Sequence, residues 1–398
     1  MSFNLHRLVA NQDAIKSIAG ENLHSLLAGH EQVLADGGFV LPEDPDEPVD
    51  YSALTKLLMS PEKFPRDLQD AFFFINEMAT EEGMESLLDA ADKGGLVILS
   101  GQHQTPADVA VQVWLKDRDL LERIHAEQFM RNPRTFECFH TTAPAPVPAH
   151  RKLTPERMEA MAADMNDWFE KRKKGRSAKV FHYPRPDGVW FLVRHGDPFK
   201  REGAIDEKGE SVGVYYWPER FDVLVLDPVE GELRMTAKTK GTMKLYRKVF
   251  GRHLYGDDEF FGGEDKYTLD PLREKGEHAV ACSDVEGLEE VLLTEVHFMR
   301  GGSFHEREIR RATDIFGAFK AREREFPKKL PIVKASVRVR FSDSETPRTV
   351  TIKPPNVAQY TRDGDSVIVE KWMKLRGFVR DLGRRKDDRA PAKSLARD

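Results

Sequence analysis

The sequence predicts an α/β protein of the mixed α+β kind. A mainly helical N-terminal domain is expected over 1–140, a central mixed β-sheet flanked by helices over 156–329, and a β-hairpin plus helix over 330–382. Three observations carry this. Before residue 140, apolar residues recur at helical spacing. Between 178 and 238, short runs rich in β-branched and aromatic residues alternate with turn signals. The segment VKASVRVRF at 333–341 alternates apolar and polar residues without a break, the period of a half-buried strand.

The elements follow in order. Asp50 or Ser52 caps a short helix over Ala53, Leu54, Leu57 and Leu58. A second helix after Pro65 carries Leu68, Ala71, Phe72, Ile75 and Met78. Gly94-Gly95 breaks the chain before a short apolar strand, LVIL at 96–99. Thr105-Pro106 opens another helix, with proline in the first turn where its missing N–H costs nothing. The proline-rich stretch 141–155 reads as a linker. An amphipathic helix from Glu156 ends in KRKKGR at 171–176. Strands are expected at 178–183, 189–193, 212–217, 221–227 and 232–238, all in one sheet. A basic helix over 242–254, a strand near 299 and a charged helix over 305–324 follow. The strand at 333–341 pairs with 348–354, and a helix spans 365–377. The tail 383–398 is too poor in apolar residues to fold and reads as disordered.

A chain of 398 residues suggests two or three domains, and 40% hydrophobic with 32% charged residues excludes wholesale disorder. A net charge of -6 excludes polyanion binding through overall charge and leaves only local basic patches. Cys138 and Cys282 form no CxxC pair and no disulfide framework, so they read as two reduced thiols. The first thirty residues show no targeting signal, and no apolar run approaches the ~20 residues that span a bilayer. The expectation is a cytoplasmic protein without a membrane partner.

The stretch FDVLVLDPVEGELRMTAKTKG at 221–241 carries the chemistry. An acid opens one strand, a turn follows, and the next strand ends in a lysine ahead of a basic helix. This resembles the core of the restriction-endonuclease-like, PD-(D/E)xK superfamily. The resemblance implies that Asp222 holds a divalent metal, Mg²⁺, and that Lys238 polarises the attacking water. A hard cation between carboxylates and a cation near the nucleophile are what phosphodiester cleavage needs. The family's second acid falls on Thr236, which has no carboxylate. Glu232, four residues upstream on the same strand, is the substitute, which makes the site vestigial. Lys240, Lys244, Arg247 and Lys248 on the following helix are the expected phosphate contacts.

A second resemblance rests on Leu192-Val193-Arg194-His195-Gly196, which is similar to the opening motif of the histidine phosphatase family. It implies His195 as nucleophile and Arg194 as phosphate clamp, with His297 completing the pocket. The general style of the chain is similar to proteins of bacterial genome-defence loci. The expected function is a nucleic-acid-associated component of a multi-protein bacterial system, of the anti-phage defence kind, with a degenerate nuclease-like core and other protein subunits as partners. The alternatives are a phosphatase-like enzyme and a non-catalytic interaction subunit. The last would show a large exposed apolar patch and no basic groove.

Overall fold

The computed structural model describes residues 12–44, 47–58, 65–99, 104–128, 135–143, 146–205, 208–360 and 366–380. The tail read at 383–398 lies outside them. The chain forms two compact units, Met1–Phe129 and Met130–Asp398.

The first unit is helical among its described residues: α1 (Gln12–Lys16), α2 (Gly20–Leu27), α3 (Glu31–Asp36), α4 (Tyr51–Leu58), α5 (Arg66–Met78), α6 (Glu81–Gly94), α7 (Pro106–Lys116) and α8 (Arg118–Gln128). The expected helices at 53–58, 68–78 and after Thr105 are present. The Thr105 hydroxyl accepts from Asp108 N and Pro106 sits in the first turn, the start signal read above. The strand expected at 96–99 does not form. The chain there has no strand partner; Gln112 of α7 donates Nε2 to Leu99 O and accepts from Leu99 N, so a side chain fills the ladder position. Asp108, 5% exposed, ties the same region to α2 by accepting from Ala19 N, Asn22 Nδ2 and Gln112 Nε2.

The second unit is built on one ten-stranded antiparallel sheet. Its strands are β1 (Thr135–His140), β2 (Lys179–Arg185), β3 (Gly188–Gly196), β6 (Glu219–Asp227), β7 (Glu232–Met235), β8 (Leu288–Gly301), β9 (Glu306–Arg311), β10 (Ile332–Phe341), β11 (Ser344–Lys353) and β12 (Val357–Gln359). They lie in the order β2-β3-β6-β7-β1-β12-β11-β10-β8-β9. A separate hairpin, β4 (Lys200–Ile205) with β5 (Ser211–Tyr216), is inserted between β3 and β6. The helices are α9 (Pro155–Glu170), α10 (Lys240–Phe250), α11 (Asp270–Glu274), α12 (Ile315–Lys320) and α13 (Ser366–Arg376).

Several expectations are corrected here. The unit boundary falls near 129, because β1 is a central strand that hydrogen-bonds both β7 and β12. Among its described residues the proline-rich stretch packs on the unit as a strap: Thr141 N donates to Gly231 O, Arg151 N donates to Leu254 O, and Val147 packs against the core. The region after 330 is no separate unit, since β12 joins β1 to β11 within the same sheet. The helix expected at 305–324 is edge strand β9 followed by α12. Its charges belong to an edge, where Arg and Glu discourage pairing with another chain. The strand expected at 212–217 is β5, in the separate hairpin and outside the main sheet.

Side chains alternate between faces with a period of two, and the helices cover opposite faces of the two halves of the sheet. In the β2-β3-β6-β7-β1 half, Phe139, Phe191, Val193, Leu224, Leu226 and Leu233 pack with Met165 and Phe169 of α9 and Tyr246 and Phe250 of α10. In the β12–β9 half, residues of the other face, among them Ala358, Ile352, Val337 and Phe298, pack with Leu272, Phe319 and Trp372 of α11, α12 and α13. The face of this second half that continues the α9/α10 side therefore carries the alternate residues, most of them polar, with Leu292, Met299, Ile309 and Val357 among them.

Candidate functional site

The nuclease-like set is not brought together. Asp222 lies on β6 facing α9 and α10 and is 3% exposed. Its Oδ2 accepts from Tyr246 Oη at 2.9 Å and lies 3.1 Å from His195 Nε2. The other nitrogen of His195 lies 2.8 Å from Gly196 O, and its ring stacks on Phe169 with centroids 4.4 Å apart. Asp222 is thus a core acceptor shared by a strand, a helix and a stacked histidine. Burial, then the adjacent Asp222 carboxylate, pushes the Tyr246 phenol well above its usual range, so it stays a neutral donor.

Lys238 is exposed and lies beyond the end of β7. The β6–β7 register pairs Leu224 with Met235, so its continuation sets Asp222 opposite Ala237 and turns Lys238 to the other side. Thr236 accounts for the strand end. Its N donates to Val223 O while its hydroxyl accepts from Val223 N, taking the place of a backbone carbonyl.

Glu232 points to the face opposite Asp222, because Leu233 and Met235 share Asp222's side. It is 7% exposed and accepts from Lys266 Nζ at 2.7 Å, with Arg234 Nε at 3.6 Å and Glu370 beyond Arg234 at 3.5 Å. Burial raises the Glu232 carboxyl, but Lys266 and Arg234 outweigh it and hold the group below its usual value. Asp222 and Glu232 cannot share a metal from opposite faces, so this set does not fit Mg²⁺. Among the described residues no cluster of His, Cys, Asp and Glu has the form of a metal site. Both cysteines are free thiols, Cys138 buried and Cys282 half-buried.

The phosphatase set is also dispersed. His195 on β3 and His297 on β8 lie seven strand positions apart, about 34 Å at about 4.8 Å per strand. His297 pairs with Glu295 at 2.7 Å, and Arg194 lies 3.6 Å from Glu219.

On α10, two of the four expected phosphate contacts are engaged. Arg247 donates to Phe261 O and Gly262 O, pairs with Glu264 and lies over the Phe139 ring. Lys248 pairs with Asp258 at 3.1 Å. Lys240 and Lys244 are exposed.

A cluster of exposed aromatic side chains lies on the β4–β5 hairpin, which leaves the main sheet between β3 and β6. At its root Asp197 N donates to Pro218 O, and the Asp197 carboxylate pairs with Lys174 at 3.3 Å and Arg220 at 3.4 Å. The register pairs Arg201 with Tyr215 and Gly203 with Gly213, so Phe199, Arg201, Ile205, Tyr215 and Trp217 share one face. Phe199 stacks on Tyr215 at 5.9 Å and meets Trp217 at 4.8 Å. These three rings are 49%, 60% and 56% exposed, and Ile205 is 72% exposed. The Arg201 guanidinium lies over Gly213, where a Cβ would meet it at 2.7 Å. On the other face Val212 and Val214 are also exposed.

Sequence reasoning assigned Tyr215, Tyr216 and Trp217 to the main sheet and missed the separate hairpin. A signal was present: VGVYYW carries apolar residues at both parities, which no strand with one solvated face does. Tyr246 was missed because nothing along the chain links a helical tyrosine to an acid 24 residues earlier.

Compared with known proteins, the chain matches no family model and no curated protein. No described helix is long and apolar enough to cross a membrane.

Proposed function

We propose that the chain is a non-catalytic interaction subunit that docks another protein through the β4–β5 arm. The observation that supports this is the stacked, half-exposed face of Phe199, Tyr215 and Trp217 around Arg201. Trp, Tyr and Arg dominate the binding energy of protein interfaces, and aromatic side chains bury roughly 150–250 Å² each. A lone two-stranded hairpin is marginal in water. One with apolar residues on both faces gains its stability when a partner covers it. The fitting partner offers an apolar slot with a carboxylate placed for Arg201.

The test is a quantitative binding experiment. A partner is captured by crosslinking to the full chain, then purified and titrated calorimetrically against wild type and a Phe199→Ser/Tyr215→Ser/Trp217→Ser variant. A loss of affinity of about 100-fold or more, with the thermal midpoint of the body unchanged, is expected. Equal affinity of the two chains would remove the arm from the interface and the proposal with it.

A second reading, nucleic-acid association, has one observation in its favour: Lys240 and Lys244 stay exposed on α10 and, among the described residues, outside the ion pairs that hold Arg247 and Lys248. The resemblance to a nuclease core plays no part in that reading, since cationic side chains carry the bulk of phosphate affinity.

A further inference from the structure

The α9/α10 side of the sheet continues past β1 into the second half, where, among the described residues, neither core cluster packs a helix on it; Ser336 and Thr351 at its centre are nonetheless buried. By the register, Arg311, Glu295, Ser336 and Thr351 form one row across β9, β8, β10 and β11 of this face. Ile309, His297 and Lys334 form the next, and continuing the β10–β11 pairing by one residue sets Lys353 opposite Lys334. Arg307, Arg338 and Arg340 share the same parity. Like charges directly opposite on a sheet repel. The local acids are few for this set. Glu295 alone serves Lys334, His297 and Arg311, and Arg338 and Arg340 reach Glu290 and Glu289. Arg307 and Lys353 have no ion pair among the described residues, and both are exposed.

The face is bordered by α10. Arg247 lies over Phe139 of β1, and Lys240 acts electrostatically on Glu137 of β1. Lys240, Lys244 and Arg247 follow at helical spacing on α10, which packs on this same side of the sheet. Two groups of cations far apart in sequence thereby lie on the same side of the sheet.

We propose that the open face of β11, β10, β8 and β9, edged by Lys240 and Lys244, binds the phosphate backbone of a nucleic acid. The inference rests on the nucleic-acid reading above and moves most of the contact from one helix to the sheet. Exposed cations line the face, with the Thr349 hydroxyl exposed beside Arg338, while Ser336 and Thr351 at its centre are buried and bonded to each other; the cations and Thr349 are phosphate-directed groups. At the tip of the β8–β9 hairpin Phe304 is 92% exposed, a ring that an unpaired base can stack on.

The experiment measures anisotropy of a labelled 30-nucleotide single strand and of the matching duplex with the full chain across a salt series. Two variants are compared with wild type: Arg307→Gln/Arg311→Gln/Lys353→Gln on the sheet, and Lys240→Gln/Lys244→Gln on the helix. Each variant's thermal midpoint is checked first. Wild type is expected to bind with a log–log salt slope on duplex of about -0.9 per phosphate contacted. The sheet variant is expected to lose at least tenfold in affinity at low salt and to show a slope shallower by about two to three. If wild type binds no oligonucleotide, both the nucleic-acid reading and this inference fall. If wild type binds and only the helix variant weakens it, the reading stands and the sheet surface is overturned. Binding to anionic phosphatidylserine vesicles that oligonucleotide does not compete away also overturns it, in favour of a lipid surface.

Discussion

Asp222 and Glu232 stand on neighbouring strands of one sheet, ten residues apart, and the protein neutralises them in different ways. Asp222 is held on the α9/α10 side by one phenol and one imidazole, both drawn from the core around it. Glu232, on the opposite side, is held by Lys266 and Arg234, with Glu370 balancing the second cation. The first arrangement is a hydrogen-bond site and the second an ionic one. Acids that look paired along the chain can therefore do separate structural work. Which face each takes depends on the parity of the register, and a shift of one residue would exchange them.

The sharpest test of the difference is Lys266→Met. Removing one partner leaves a buried charge uncompensated, so a loss of about 3–5 kcal/mol in unfolding free energy is expected from urea titration. The double variant Glu232→Gln/Lys266→Met should recover much of that loss, because a buried pair replaced as a whole is often close to neutral. If the single and double variants are equally destabilised, Glu232 and Lys266 are not coupled as charges and the contrast with Asp222 disappears. The pH dependence has a definite sign. The folded-state pKa of Glu232 is depressed, so its contribution is complete above its unfolded value, near 4.3 for a free glutamate, and is lost as pH falls through the lower folded value.

Much of the fold was legible because its signals are local. Alternation in VKASVRVRF predicted β10, Thr105-Pro106 predicted the start of α7, and the apolar runs at 189–193 and 221–227 predicted β3 and β6. What failed depends on partners distant in sequence. The stretch 96–99 has a strand's composition, but only the fold reveals that a glutamine side chain occupies its ladder. EREIRR at 306–311 has a helix's charge density, and its pairing with β8 decides otherwise. The candidate site was less legible still. A short acid–turn–lysine pattern fixes spacing along the chain but not the face, and Thr236 ends the strand before Lys238 can join it.

An intermediate effect is expected at Asp222. In Asp222→Asn the side chain keeps its shape and retains one oxygen for Tyr246, but loses its charge and turns an NH₂ group toward the neighbourhood of His195. A cost of about 1–3 kcal/mol follows from a hydrogen-bond partner lost in the core. This is smaller than for Lys266→Met because no full charge is stranded. A cost as large as the Lys266 variant's would mean that Asp222 acts as half of an ion pair, and the two sites would then be alike.

Tyr246→Phe gives a change comparable to Asp222→Asn at neutral pH and separates the two arrangements by pH. Removing the hydroxyl deletes one hydrogen bond to a carboxylate, about 1.5–3 kcal/mol at neutral pH by the usual range for charged acceptors, and the lower end applies because His195 still faces the same oxygen. The folded-state pKa of Tyr246 is raised well above its usual value, chiefly by burial and then by Asp222. Its contribution is therefore complete below the unfolded value, near 10 for a free tyrosine, and falls as pH rises beyond it, because only the unfolded chain then releases the proton. The difference between wild type and Tyr246→Phe, taken from urea midpoints at pH 8 and pH 10.5, should narrow in alkali. The same comparison for Glu232→Gln should narrow in acid instead. A Tyr246 difference that stays constant to pH 10.5 would place the phenol in contact with water and take it out of the buried site that Asp222 defines.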